Sequence, residues 1–355
     1  MTVSVPKILY VANNDGSDMR VSKEVNSLAK QSDVHFVGVG VISDNSFAIK
    51  ACKHYSLVSG NVRNPIAIFF LILKILKLRV QNKYQSVHVV DEQFYALVWP
   101  ALIGIHKVLD VFDSVFLRYN FPKNRLLVIK RLIYLSVDHI FVTDKDRWSL
   151  LPEFAKPFSS ILPNVPDGKL EDYADKKFSD NVVLAHFGTL AKNRGSLFVH
   201  QLASSFPEIK VFCAGWIVDE FTEELMLLDN VEYLGVMPQG EANEFVFENV
   251  DYVIAIYPEG NLNNFYASPN KIYDSIYAQT PIIICDNVNV AEFVSEEGIG
   301  LVVDQSSTDY ESLVRKLKEC KGHFKFSEDL RKKSLWSCYE DVLFSAHRLL
   351  ANRVV

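Results

Sequence analysis

A rhythm of short apolar runs, separated by segments of helical periodicity, restricts what this chain can fold into more than any other feature. "KILYVA" and "VHFVGVGV" are β-branched and too short for helices, while "DMRVSKEVNSLAKQ" between them spaces its apolar residues as one face of a helix. "SVHVVD", "KVLDVFD" and "HIFVTD" continue the series, each ending in an aspartate. Strands that alternate with crossover helices build a parallel sheet. Its strand ends then gather polar residues along one edge, where ligands of open α/β sheets bind.

The rhythm breaks once. "ILPNVPDGKLEDYADKKFSDN", residues 161–181, is rich in proline and charge and reads as a linker. It resumes with "VVLAHFGTL", "IKVFCAGW", "VEYLGVM", "DYVIAIYPEG", "TPIIICD" and "GIGLVVD". With 355 residues, 49% of them apolar, the chain can bury two cores. The expected fold class is α/β, with two doubly wound, Rossmann-like domains facing across a cleft. The first covers 1–165, a linker 166–180, and the second 181–325, followed by a helical segment, 326–355, that packs back on one of them.

Charge and cysteine usage exclude some functions. A net charge of -6 argues against non-specific nucleic-acid binding, which needs a basic excess. The cysteines, Cys52, Cys213, Cys285, Cys320 and Cys338, are scattered without CxxC spacing, as expected of reduced thiols in a cytoplasmic protein. "MTVSVPKILYVANN" lacks the long apolar core of a signal peptide and reads as a first strand. The apolar segment 64–84, "NPIAIFFLILKILKLRVQNKY", is interrupted by Lys74, Lys77 and Arg79 and is too short to span a bilayer. Either it is a crossover helix with its lysines turned outward, or it lies on an anionic membrane surface, which would place the protein at the inner face of the membrane.

Several polar groups fall where strands should end. After the first strand, "VANNDGSDMR" has only Gly16 where a dinucleotide fingerprint would need GxGxxG. Asn13, Asn14, Asp15 and Arg20 there either serve a polar acceptor or cap the first helix. In "HFGTLAKNRGS", Gly188 permits close backbone approach, and Lys192 and Arg194 precede a helix starting near Ser196. That combination suits a diphosphate, though a solvated basic loop has the same spacing. In "SPNKIYDSIYAQTPIIICD", Ser268 is placed to N-cap a helix with Pro269 at its first position, and Asn270 and Lys271 fall in the first turn. A lysine there opposes the helix dipole, so its presence points to an anion.

Asp113 in "DVFDSVF" and Asp91 in "HVVDEQ" follow strands and could deprotonate a hydroxyl, or merely cap helices. Asp110, inside its strand, is the weaker choice. Asp144 and Asp146 in "TDKDRW" mimic a metal-binding DxD but precede a helix and read as caps. The histidines show no HxH or HxxxH spacing, so no metal site is expected.

The order "FGTLAKNRG", "VEYLGVMPQGE", "DYVIAIYPEG", "SPNKIYDSIYAQTPIII" and "GIGLVVD" resembles the donor-binding domain of GT-B glycosyltransferases of the group 1, or GT4-like, superfamily. "ILPNVPD" resembles the segment joining their two domains, so the likeness covers nearly the whole chain. It is specific in the second domain and topological in the first. It implies transfer of a sugar from a nucleoside-diphosphate sugar, UDP or GDP, to an acceptor hydroxyl, with neither metal nor cofactor. The acceptor would be a glycan or lipid-linked glycan of bacterial surface-polysaccharide or glycolipid assembly.

By position, the resemblance gives Gly188, Lys192, Arg194, Ser268, Asn270 and Lys271 to the donor diphosphate, and Asp274 to the ribose as the second acid of an E-x7-E motif. Val236, Met237 and Pro238 would border the nucleobase. Asn13, Asn14, Asp15 and Arg20 would face the acceptor, with Asp113 or Asp91 as the base of an inverting reaction. One departure stands out: Tyr266 occupies the place of the first glutamate, and Glu259, the nearest substitute, lies fifteen residues before Asp274. Retention of configuration therefore does not follow. Two rivals remain: a nucleotide-sugar epimerase of the same fold, and a non-catalytic nucleotide-sugar-binding subunit.

Overall fold

The computed structural model describes residues 5–173, 176–178, 181–268 and 270–349. Contacts divide the chain into two units, one formed by Met1–Pro163 with Tyr339–Val355 and the other by Asn164–Cys338.

Unit 1 is built on a parallel seven-stranded sheet. Its strands are β1 (Lys7–Val11), β2 (Asp33–Val39), β3 (His54–Val58), β4 (Ser86–Val90), β5 (His106–Val111), β6 (His139–Val142) and β7 (Ser159–Ile161). The spatial order β3-β2-β1-β4-β5-β6-β7 reverses direction between β1 and β4, which opens a crevice at their carboxyl ends. Central strands such as "SVHVV" are buried throughout because helices cover both faces. The two edge strands, "HYSLV" and "SSI", are polar and partly exposed, and periodicity alone does not reveal them.

The helices of this unit are α1 (Met19–Ala29), α2 (Pro65–Gln81), α3 (Glu92–Val98), α4 (Val115–Arg118), α5 (Leu127–Tyr134) and α6 (Lys145–Ser149). Asp18 caps α1 by accepting from the NH groups of Arg20 and Val21. Asn64 caps α2, with Pro65 at its first position. Asp144 accepts from the Arg147 NH at 2.7 Å and caps α6, as its position predicts, while Asp146 lies in the first turn of the helix.

Unit 2 carries a six-stranded parallel sheet in the order β10-β9-β8-β11-β12-β13. Its strands are β8 (Val183–Leu190), β9 (Lys210–Ile217), β10 (Val231–Tyr233), β11 (Tyr252–Ala255), β12 (Ile282–Cys285) and β13 (Gly300–Val303). Around it stand α7 (Ser196–Ser205), α8 (Glu220–Leu225), α9 (Gln239–Asn249), α10 (Leu262–Phe265), α11 (Asn270–Tyr277), α12 (Ala291–Glu296), α13 (Tyr310–Cys320) and α14 (Glu328–Lys333). Ile282, Ile283 and Ile284 are wholly buried at the centre of its core.

The charged stretch after Pro163 packs on unit 2. Lys176 donates to the carbonyls of Val246 and Phe247 at 2.9 and 2.8 Å and to Thr280 at 2.7 Å, while Tyr277 donates to Asp172.

The last helix, α15 (Glu340–Ala346), belongs to unit 1. Glu340 pairs with Lys30 of α1 at 2.6 Å. His347 is fully buried, with its ring 2.7 Å from Ser86 Oγ and 3.0 Å from His88. The Gln85 side chain donates to the His347 carbonyl at 2.8 Å.

Candidate functional site

In unit 2, Gly188, Gly215 and Lys271 come together at the carboxyl ends of β8, β9 and β11, with Arg194 as a neighbouring charge. The two glycines offer a floor of bare backbone. Gly188 faces Gly215 in the β8–β9 register, and a Cβ on Gly215 would stand 1.8 Å from the Gly188 carbonyl oxygen. The NH of Gly215 in turn donates to the Gly235 carbonyl at 2.8 Å. Only glycine permits this approach, and Gly215 also holds φ +130°.

Lys271 lies over this floor. Its aliphatic end passes 3.4 Å from where a Gly188 side chain would begin, and its ammonium reaches toward the Ile254 carbonyl at 3.4 Å. Burial, then the neighbouring Arg194 guanidinium, pushes the Lys271 amine down from its ordinary 10.5 to about 8. Among the described residues neither Lys271 nor Arg194 forms an ion pair. Two neighbouring cations without a salt-bridge partner, with Asp274 as the nearby negative charge, suit a compact anion.

Around them the expected residues separate. Arg194 ends the turn Lys192–Arg194 that leads through Gly195 into α7. Gly195 holds φ +111°, and a side chain there would strike the buried ring of His186 at 2.9 Å. Lys192 is directed elsewhere: its ammonium stands 4.9 Å over the Phe221 ring, and its NH donates to Asp219 at 2.7 Å. Asn270 opens α11. Pro269 lies outside the described residues, and with it the cap expected of Ser268.

Asp274, one turn into α11, accepts at one oxygen from Gln239 at 2.8 Å and from Asn243 at 3.1 Å. Those amides belong to α9, which starts just after Val236, Met237 and Pro238. The nucleobase and ribose candidates are therefore joined through α9. Gln239 lies in the segment expected to border the nucleobase, but its bond to Asp274, and Asn243 altogether, escape sequence reasoning because that partner lies far along the chain.

Tyr266 closes the one-turn helix α10, and its ring meets that of Phe265 at 4.8 Å. Glu259 is exposed in the preceding turn.

Unit 1 has its own polar group at the β1–β4 crevice. Asp91 follows β4 with φ +53° and ψ 143°, a backbone conformation that non-glycine residues avoid. Its carboxylate accepts from Asn13 at 3.4 Å and from the Asp113 NH at 3.1 Å. Desolvation, reinforced by Asp113 and Glu92, holds this carboxyl well above the ordinary range. Asp113 itself is exposed and pairs loosely with Arg118 at 3.8 Å.

The other first-turn residues serve the fold. Asn14 accepts from the Gly16 NH at 2.8 Å, and Asp15 accepts from Ser46 at 2.9 Å. Arg20, expected to face an acceptor, is buried instead: it grips Asp110 with two bonds of 2.6 and 2.7 Å and donates to the Leu162 carbonyl at 2.8 Å. A charge in the core is stable only when paired in this way, so Arg20 and Asp110 are structural.

No family model and no curated protein matches the sequence. Solved structures do match in fold. HepE from Anabaena, solved in complex with UDP and glucose, superposes with a TM-score of 0.67 at 12% identity, covering 98% of both chains. A glycosyltransferase from Rickettsia africae gives 0.69 at 12% identity over 99% of this chain and all of the other. Sucrose-phosphate synthase from Thermosynechococcus elongatus gives 0.69 at 10% identity over 98% of this chain and all of the other. Likeness of this extent at such low identity speaks to architecture, and with two parallel sheets of seven and six strands the chain has the GT-B glycosyltransferase fold.

Proposed function

We propose that the protein is a metal-independent glycosyltransferase, of hexosyltransferase type and the GT4-like group, that moves a sugar from a nucleoside-diphosphate sugar to an acceptor hydroxyl. The observation that carries this reading is Lys271, held over the glycine floor with Arg194 as a neighbouring cation and without a salt-bridge partner among the described residues. HepE has been solved in complex with UDP and with UDP-glucose, which makes UDP the first donor nucleotide to test.

In this mechanism the diphosphate rests against the bare backbone at Gly188 and Gly215 and the amino ends of α7 and α11. As the glycosidic bond breaks, negative charge grows on the leaving diphosphate. Arg194 and Lys271, already in place, stabilise it without reorganisation. Asp274, oriented by Gln239 and Asn243, is assigned to the ribose hydroxyls. Val236–Pro238 border the base, and Lys192 would have to leave Phe221 to reach a phosphate.

On unit 1 we assign the acceptor proton to Asp91 rather than Asp113. A desolvated carboxyl in a strained backbone, steadied by Asn13, is a better proton acceptor than an exposed aspartate beside an arginine. The acceptor class remains a glycan or lipid-linked glycan of surface-polysaccharide or glycolipid assembly, which accords with a cytoplasmic protein working beside a membrane.

The test is ligand binding followed by turnover. UDP or GDP should raise the melting temperature, and Lys271→Ala should weaken that nucleotide about ten- to a hundredfold, the worth of a hydrogen bond to a charged group. A native protein that no nucleoside diphosphate stabilises would sink the proposal. Turnover of nucleotide-sugar without acceptor would identify an epimerase, and binding without turnover a non-catalytic subunit.

A further inference from the structure

Unit 1 presents an apolar and basic surface that its own fold does not cover. α2 buries Ala67, Ile68, Leu71 and Ile75 against the sheet. Its outward side exposes Ile66, Phe69, Phe70, Leu73, Leu76 and Val80, between 41% and 90%. α5 likewise exposes Val128, Ile129 and Leu132, at 73%, 47% and 72%. Trp99 and Ile103, just past α3, are 44% and 59% exposed.

These elements lie on one side of the sheet. β3 to β4, β4 to β5 and β5 to β6 all step in the same direction across it. Right-handed crossovers running one way put α2, α3 and α5 on a common face, opposite α1, which joins strands stepping the other way. α2 contacts α3, and α3 contacts α5. Arg79 of α2 fastens the group by donating to the carbonyls of Ala101 and Ile103 at 2.5 and 2.7 Å.

The charged residues of α2 and α5 have one sign. They are Lys74, Lys77, Arg79, Lys130 and Arg131, with no acid, in a protein with 43 acidic residues and a net charge of -6. Of these, Lys130 is buried. Apolar patches of this extent on a folded domain mark a partner.

We propose that the face formed by α2, the end of α3 and α5 docks on an anionic lipid bilayer, its phenylalanines and leucines entering the acyl boundary while the lysines and arginines meet the headgroups. A second copy of the chain is the poorer occupant, because a two-fold contact would press the same basic set against itself. Helices with an apolar side and long cationic side chains suit the interface plane, where cations reach lipid phosphates as the apolar side sinks in. The proposal deepens the acceptor side of the transferase reading and is independent of the donor chemistry.

The full-length protein should sediment with phosphatidylcholine vesicles containing phosphatidylglycerol at least about tenfold better than with phosphatidylcholine alone, and less well as salt rises. Phe69→Ser with Phe70→Ser, and separately Lys74→Glu with Lys77→Glu, should each weaken that binding about tenfold or more. Both changes are on the surface, so the melting-temperature shift with UDP should persist, which separates this test from that of the donor site. Three results would overturn the proposal: no sedimentation with either vesicle, equal binding to both, or a concentration-dependent dimer that the Phe69 and Phe70 changes disperse.

Discussion

At the scale of the residue, Asp91 and Lys271 carry opposed titrations, and their signs can be tested. The folded protein holds the Asp91 proton at pH values where an unfolded chain has released it. That contribution is lost as pH rises from the ordinary carboxylate range through the raised value, so Asp91→Asn should match or exceed the parent in melting temperature, increasingly so at higher pH. The same substitution should lower turnover by about 10²–10⁴-fold. Full activity in that variant would move the base elsewhere.

Lys271 runs the other way. Below about 8 both folded and unfolded chains hold its proton and the burial cost is fully present; between about 8 and 10.5 the folded state sheds it first and the cost is relieved. Nucleotide affinity should therefore fall as pH climbs past about 8, by up to about a decade per pH unit, and binding near that pH should take up a proton. Calorimetry in buffers of differing ionisation enthalpy measures both. The first-turn place of Lys271 was legible in the sequence, and a lysine there contradicts the dipole. Arg20 was misread because its partner, Asp110, stands ninety residues away and only the folded sheet joins them.

At the scale of the element, apolar strands in the middle of each sheet announce themselves, because they are buried on both faces and leave no polar alternation. β3 and β7 at the edges carry His54, Ser56, Ser159 and Ser160 and resemble loops. α10 was hidden for a similar reason: "LNNF" has no amphipathic repeat, and the turn forms because Asn261 caps it by accepting from the Asn264 NH at 2.9 Å. The glycine floor was only half visible. Gly188 follows a strand in a recognisable motif, whereas the requirement for Gly215 comes from a carbonyl on the neighbouring strand. Gly215→Ala must push β9 from β8 and should cost about 2–4 kcal/mol in denaturant melts, with loss of the nucleotide shift. An unperturbed variant would show that the two strands have slack there.

At the scale of the whole molecule, each unit has a sheet and a core of its own. Calorimetry should resolve two transitions, of which saturating UDP raises only that of unit 2, by about 2.7 kcal/mol of stability at a hundredfold excess over Kd. A shift confined to the other transition would place the nucleotide in unit 1. Unit 1 is also discontinuous: its sheet is finished by His347 and its neighbours, which close over Ser86, His88 and Gln85. Those last residues leave the ribosome only after all of unit 2 has been made, roughly 10–35 s later at about 5–20 residues per second. The half of the protein that begins first in synthesis is thus the half that finishes folding last, and it must wait through that interval with part of its polar interior open, a clientele for chaperones rather than a domain complete at birth.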